Sequence, residues 1–270
     1  MEYAGARLAP EPLRERKRAA RGSIDLPFTA LTLLLLTIGV VMVLSASYAR
    51  AYYSASTGHN AAYYFMRQLG FAIGGTAAMF VLSRFPMAFY RRMSFPLLAA
   101  AVALLALVPV IGVSQGDAKR WIDLGFTTFQ PSEIAKVAVI LYFSALICKY
   151  KAAMSTFRYG ILPFAAILLL IVGLLVLEPH FSAAIIIIAI GGVMLFLGGV
   201  KLRWFIGVGI GALAALGVII TFFPYASGRI STWLDPFANT SGDGYQIVQS
   251  LYSIGSGGVF GLGPGQGEVP

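Results

Sequence analysis

The chain has 270 residues, of which 58% are hydrophobic and only 11% charged. Soluble domains carry about 25% charged residues, so this chain lacks the polar surface to cover itself in water. That excludes an ordinary soluble enzyme and a disordered chain, and a single cysteine, Cys148, excludes a disulfide scaffold, which leaves a polytopic membrane protein.

A helix needs about 20 apolar residues to cross roughly 30 Å of hydrocarbon. In chain order, uncharged runs occupy 26–47, 68–83, 93–113, 131–148 (with Lys136 inside it), 160–177, 181–200 and 204–223. The second is short and pinned between Arg67 and Arg84; the fifth and sixth are parted only by Glu178-Pro179-His180. These runs lack the period-two alternation of a membrane β-barrel. The first is too long for a cleaved signal peptide, and six more follow. The expected fold is therefore all-α, a polytopic membrane bundle of seven helices over 25–223. A basic tail, 1–24, precedes it, and a large outer loop begins at 224 and runs to 270.

Basic residues set the orientation. With the N-terminus in the cytoplasm, the inner segments hold fourteen Lys and Arg: Arg7, Arg14, Arg16, Lys17, Arg18, Arg21, Arg84, Arg91, Arg92, Lys149, Lys151, Arg158, Lys201 and Arg203. The outer segments hold five: Arg50, Arg67, Lys119, Arg120 and Arg229. The net charge of +9 is thus a topology signal and a contact with anionic lipid heads, not a nucleic-acid footprint. Apart from Glu2, Glu11, Glu15 and Asp25 at the N-terminal end, the acids Asp117, Asp123, Glu133, Glu178, Asp235, Asp243 and Glu268 all fall on the outer side or just beneath it. Chemistry is expected there.

The first outer loop, 48–67, is rich in tyrosine and reads as an interfacial anchor. The second carries a Gly116-Asp117 turn, then Lys119, Arg120 and Trp121 at interfacial depth. Pro131 suits the first turn of the next helix, with Gln130 just before it and Ser132 and Glu133 just inside. A carboxylate there faces the positive end of the helix dipole. Glu133 and Lys136 are spaced i,i+3 and share a face. A charge inside a span faces a cavity or a partner, because hydrocarbon disfavours it. The expectation is that Lys136 faces a polar cavity and pairs with Glu133 or Glu178. A bare turn between two spans needs neither Glu178 nor His180, so both are candidates for function. The last segment contains Asp235, a Ser241-Gly242-Asp243-Gly244 turn, a short amphipathic helix expected over 245–254, and a glycine run from Gly255. Backbone N–H groups in such a run can approach phosphate oxygens. No strand precedes it and no helix follows, so it is not a dinucleotide or P-loop site. No Cys/His ligand cluster and no Ser-His-Asp arrangement is evident; no cofactor is expected, and nothing supports a divalent cation.

Four blocks carry a family resemblance: KRWIDLG (119–125), FQPSEIAK (129–136), the Glu178-Pro179-His180 break, and GYQIVQSLYSIGSGG (244–258). With their spacing, the chain resembles the SEDS proteins, the family of FtsW, RodA and SpoVE. The 23–28 block SIDLPF, VMVLSAS (41–47) and the tyrosine-rich loop lean toward FtsW/SpoVE. The resemblance implies a peptidoglycan glycosyltransferase that polymerises lipid II at the outer face of the plasma membrane, in division, elongation or sporulation. It implies a class B penicillin-binding protein as partner. On the matching positions, Lys119, Arg120, Trp121, Gln130, Ser132, Glu133, Lys136, Glu178, His180, Tyr245, Gln246, Gln249, Ser250, Gly255, Ser256, Gly257 and Gly258 become candidates for substrate binding. Arg229 and Asp235 join them as outer charges.

Two departures stand beside the resemblance. The family has ten spans against seven expected here, and its catalytic aspartate matches no residue before Pro270. The expectation is a fragment that does not polymerise lipid II by itself. His180 stands where many members carry aspartate. Two other classes compete: a lipid II flippase, which would place polar groups at midplane in broken helices, and a non-catalytic fragment that binds a partner.

Overall fold

The computed structural model describes residues 24–114, 119–125, 127–222, 224–242, 244–259 and 261–263. The Gly116-Asp117 turn, Asp243, the basic tail and the glycines beyond Gly263 lie outside the described residues, as does the side chain of Arg229. The chain divides into two compact units, residues 1–80 with 249–270, and residues 81–248.

The first unit holds α1 (Leu26–Tyr53) and most of α2 (Tyr63–Ser83). Asp25 caps α1, its carboxylate accepting from the Phe28 N–H at 3.1 Å, which satisfies one of the orphan donors of a helix start. Thr32, Thr37 and Ser47 donate to carbonyls four residues back at 2.8, 2.8 and 2.6 Å. In lipid, this removes the cost of an unpaired hydroxyl. Both helices run past the uncharged stretches read from the sequence. α1 continues to Tyr53, and α2 begins at Tyr63 and takes Arg67 into its first turns. Arg67 lies 5.9 Å from the Tyr63 ring centroid. A long cation with an aromatic neighbour can sit at a helix end without breaking it.

The second unit holds α3 (Met87–Ile111), three short strands, α4 (Pro131–Tyr150), α5 (Phe157–Gly160), α6 (Leu162–Leu177), α7 (Phe181–Leu197), α8 (Leu202–Phe222) and α9 (Pro224–Leu234). Its core is built from α3, α4, α6 and α7. Phe143 of α4 meets Phe164 of α6 edge-on at 4.9 Å, and Leu105, Ile171, Leu175 and Ile187 are fully buried around them. Gly191 is where α7 comes closest: a Cβ there would lie 2.9 Å from Leu168 and 3.2 Å from Phe143. Small residues allow such approach, and packing of this kind holds membrane helices together.

Five helices, counting 157–177 as one, are long and apolar enough to span a membrane among the described residues, so the expected count of seven is not confirmed. α7 has 17 residues, about 26 Å at 1.5 Å per residue. The connection after α3 holds strands, which an all-helical expectation does not include. It forms an antiparallel sheet of β1 (Val113–Ser114), β2 (Lys119–Asp123) and β3 (Thr128–Phe129), in the order β1-β2-β3. The glycine run also starts inside a helix: α10 (Tyr245–Gly257) includes Gly255, Ser256 and Gly257, and only at Gly258 does φ turn positive, to 59°. A helix C-terminus followed by a left-handed glycine is an ordinary stop, so these residues form no open phosphate loop.

Candidate functional site

One polar node lies within the second unit, where β2, the N-terminal end of α4 and the α6–α7 turn meet. The strands explain how Arg120 gets there. Trp121 of β2 pairs with Val113, and Ile122 and Asp123 pair with Phe129 and Thr128. Asp123 accepts from the Gly125 N–H at 2.8 Å, at a glycine whose φ of 84° only a residue without Cβ takes readily. The tight strand turn holds Arg120 against the next connection. Its guanidinium donates to the Pro179 carbonyl at 2.6 Å, across 59 residues of sequence.

Pro131 opens α4, with Gln130 as the residue before it. The Gln130 amide nitrogen lies 3.3 Å from His180 Nε2. Which of the two side chains donates depends on the imidazole tautomer. The His180 Nδ1 is buried and has no hydrogen-bond partner among the described residues. Burial holds the His180 pKa below its usual value, first by desolvation and then through Arg120. Glu133 opposes the shift and Lys136 adds to it. Glu178 is 2% exposed, and its Oε1 has no partner among the described residues. Desolvation lifts its pKa to about 7, against the pull of Arg120. Ser132, 1% exposed, likewise keeps a buried hydroxyl without a partner there.

Lys136 pairs with Glu133, with Nζ at 2.7 and 2.8 Å from the two carboxylate oxygens. Of the two partners expected, the structure selects Glu133. The Glu133 side chain is 57% exposed and that of Lys136 23%, so the pair sits at the rim of the node.

The structure thus brings together Arg120, Gln130, Ser132, Glu133, Lys136, Glu178 and His180. Lys119 is exposed at the start of β2 and Trp121 is half-buried. Asp235 is exposed after α9, and the charges that act on Glu178 and His180 are those of Arg120, Glu133 and Lys136, not Asp235. Tyr245 and Gln246 open α10, exposed; Gln249, Ser250, Gly255, Ser256, Gly257 and Gly258 belong to the other unit. Sequence reasoning missed Pro179 as an anchor. Its carbonyl, not its ring, does the work, and no residue-type signal announces a carbonyl acceptor. Among the described residues no group of three or more His, Cys, Asp or Glu could hold a metal.

A family model described as "Cell cycle protein", that of FtsW, RodA and SpoVE, matches residues 26–269. The chain belongs to this family. It is 36% identical over 255 residues to the probable peptidoglycan glycosyltransferase FtsW of Trichlorobacter lovleyi, covering 94% of this chain and 66% of that one. It is 33% identical to the stage V sporulation protein E of Bacillus subtilis, covering 90% and 66%. Among solved structures, it resembles a chain from work on how a peptidoglycan synthase complex coordinates polymerization and crosslinking. There the TM-score is 0.62 and identity 27%, with 85% of this chain and 66% of that chain covered. The rod-shape-determining protein RodA of Thermus thermophilus matches with a TM-score of 0.51 and 29% identity, covering 68% and 58%. The chain spans 59–66% of the length of the first three curated relatives. The node residues are those of the FQPSEIAK, KRWIDLG and Glu178-Pro179-His180 blocks, which the chain folds onto one another.

Proposed function

We propose that the chain carries a substrate-binding membrane region of a peptidoglycan glycosyltransferase that polymerises lipid II at the outer face of the plasma membrane. The observation that supports this most is the node itself. Two cations, Arg120 and Lys136, stand at its rim beside a buried carboxyl and a neutral imidazole. Lipid II leaves a pyrophosphate behind, and guanidinium and ammonium groups are the donors such an anion takes. Arg120 is positioned by the Pro179 carbonyl, which aims its guanidinium at the α6–α7 turn. Polar groups at helix ends, and not at the middle of broken helices, favour surface chemistry over transport.

The N-terminus is read as cytoplasmic, which puts the node on the outer side. A class B penicillin-binding protein is the proposed partner. Relatedness to both FtsW and the sporulation protein E favours a role in septum or spore-wall synthesis over elongation; a fluorescent fusion should gather at division sites. No residue of this chain is assigned as the base that takes the acceptor hydroxyl proton.

Photoreactive lipid II tests the reading. It should cross-link to the purified chain near residues 119–136 and 178–180. Arg120→Gln and Lys136→Met should each cut the yield about tenfold, the loss expected for one charge-assisted contact. Undiminished cross-linking in both variants would refute the assignment. Polymer formation with a class B penicillin-binding protein is the second readout.

A further inference from the structure

The opposite end of the same bundle carries cations that the node does not use. Lys149 and Lys151 close α4, Arg158 lies on α5, and Lys201 and Arg203 flank the start of α8. All five are exposed. None has a carboxylate partner among the described residues, and the sequence places no Asp or Glu in 134–177 or 179–234. The two connections that carry them are packed together. A Cβ on Gly198, in the α7–α8 turn, would meet the Met154 methyl at 3.2 Å.

Aromatic rings line this end. Tyr150 and Tyr159 lie 5.4 Å apart, and Phe157 and Trp204 lie 5.0 Å apart. Three of the four rings also have a cation over them: Lys149 at 5.2 Å from Tyr150, Arg158 at 5.9 Å from Tyr159, and Arg203 at 5.2 Å from Trp204. Finally, the Trp204 Nε1 is buried without an acceptor among the described residues. An indole N–H is a donor only, and a buried donor is expected to find an acceptor.

We infer that this end is a binding site for an anionic phospholipid with two phosphates, of the diphosphatidylglycerol (cardiolipin) type. The cations come from two connections packed together: Lys149, Lys151 and Arg158 from the one between α4 and α6, Lys201 and Arg203 from the one that opens α8. Two phosphates joined by a short bridge satisfy both sets, whereas a single phosphate satisfies one. The exposed rings of Phe157 and Tyr159, 49% and 42% accessible, offer the acyl boundary an apolar shelf. One phosphate oxygen supplies the acceptor that Trp204 lacks. Basic pockets between membrane helices are known to take such headgroups.

Native mass spectrometry of the purified chain, titrated with cardiolipin and with phosphatidylglycerol at matched phosphate, tests this. Cardiolipin should be retained about tenfold better than phosphatidylglycerol, because two tethered contacts act together. The triple variant Lys149→Gln, Lys151→Gln, Arg158→Gln should lose about tenfold in cardiolipin affinity, each cation near an anionic surface contributing. Lys201→Gln with Arg203→Gln should do the same, and serves if the triple variant fails to fold. Trp204→Phe keeps the ring and should lower retention by a smaller factor. The control removes three cations from the α2–α3 connection and the start of α3: Arg84→Gln, Arg91→Gln, Arg92→Gln. An equal loss in the control, or equal retention of the two lipids, would overturn the proposal and leave only diffuse attraction.

Discussion

The two ends of α4 are about 30 Å apart, from 20 residues at 1.5 Å each, and they treat charge in opposite ways. At the N-terminal end, both signs are present and the protein controls them. Glu133 holds Lys136, the Pro179 carbonyl holds Arg120, and Glu178 is buried where its proton is retained near pH 7. At the C-terminal end, among the described residues, only positive charge is present and it stays exposed, with Lys149, Arg158 and Arg203 over aromatic rings. Burying ionisable groups costs free energy that exposed ones do not incur. That the fold accepts this cost at one end alone supports the proposal of a substrate site there and a lipid contact at the other.

The strongest way to break the comparison is to ask whether the two ends face different compartments. With Cys148→Ser as background, single cysteines at Leu124→Cys and Ser155→Cys should differ all-or-none. An impermeant maleimide should label Leu124→Cys in intact cells and Ser155→Cys only after lysis. Labelling of both in intact cells would remove the distinction, and the reverse pattern would invert the orientation.

The next largest effect is expected at Glu178. Glu178→Lys places a permanent cation in a buried site beside Arg120, and an uncompensated buried charge destabilises by about 3–5 kcal/mol. Thermal unfolding in detergent should show a large fall in Tm. A substitution of the same type at the other end, Ser155→Lys, should change Tm little. A tolerant Glu178→Lys would mean that the turn is open to water.

The pH dependence sharpens the same contrast. Glu178 has its pKa raised from 4.5 to about 7 in the folded chain. The folded state therefore holds a proton that the unfolded state has lost. The stability this contributes is complete below pH 4.5 and is lost as pH rises through about 7. His180 is lowered from 6.5, so its contribution has the opposite sign: present above pH 6.5 and lost as pH falls through the folded value. Glu178→Gln should flatten the alkaline limb of a Tm-against-pH curve, and His180→Asn the acidic limb. A double variant that keeps both limbs would place the titrating groups elsewhere.

The bundle was legible because hydrocarbon demands long apolar runs, and α6 and α7 fall within the runs 160–177 and 181–200 read from the sequence. Helix ends were less so. A charge-free criterion stops at Arg67 and Arg92, yet α2 and α3 both carry their arginines within the helix, because long cations reach the interface from inside a helical turn. The Glu133–Lys136 pair could be read from i,i+3 spacing. The Arg120–Pro179 bond could not, since it joins residues 59 apart through a backbone carbonyl. The β2 strand was hidden by its shortness: five residues, KRWID, show an alternation too brief to separate from a loop. For the same reason the family blocks indicated which residues matter while leaving open which of them touch.

The smallest expected effect on stability belongs to Lys136, and it separates a fastener from a binding group. The Lys136 ammonium sits 2.7 Å from a Glu133 carboxylate that is 57% exposed. A pair so open to solvent contributes about 0.2–1 kcal/mol, so Lys136→Met should shift Tm by no more than a degree or two in a chain this size. Its methionine would also suit the apolar side of α4, which limits any packing loss. Photo-cross-linking to lipid II should nevertheless fall, because the cation at the rim of the node is gone. Glu133→Gln supplies the contrast: it breaks the same pair but leaves the cation free, so stability should fall as little while cross-linking is kept. If both variants lose stability and cross-linking alike, the pair merely staples the first turn of α4 and the two ends differ only in how they are held. If Lys136→Met alone loses the ligand, the N-terminal end uses its charge on the substrate, as the C-terminal end does on the membrane.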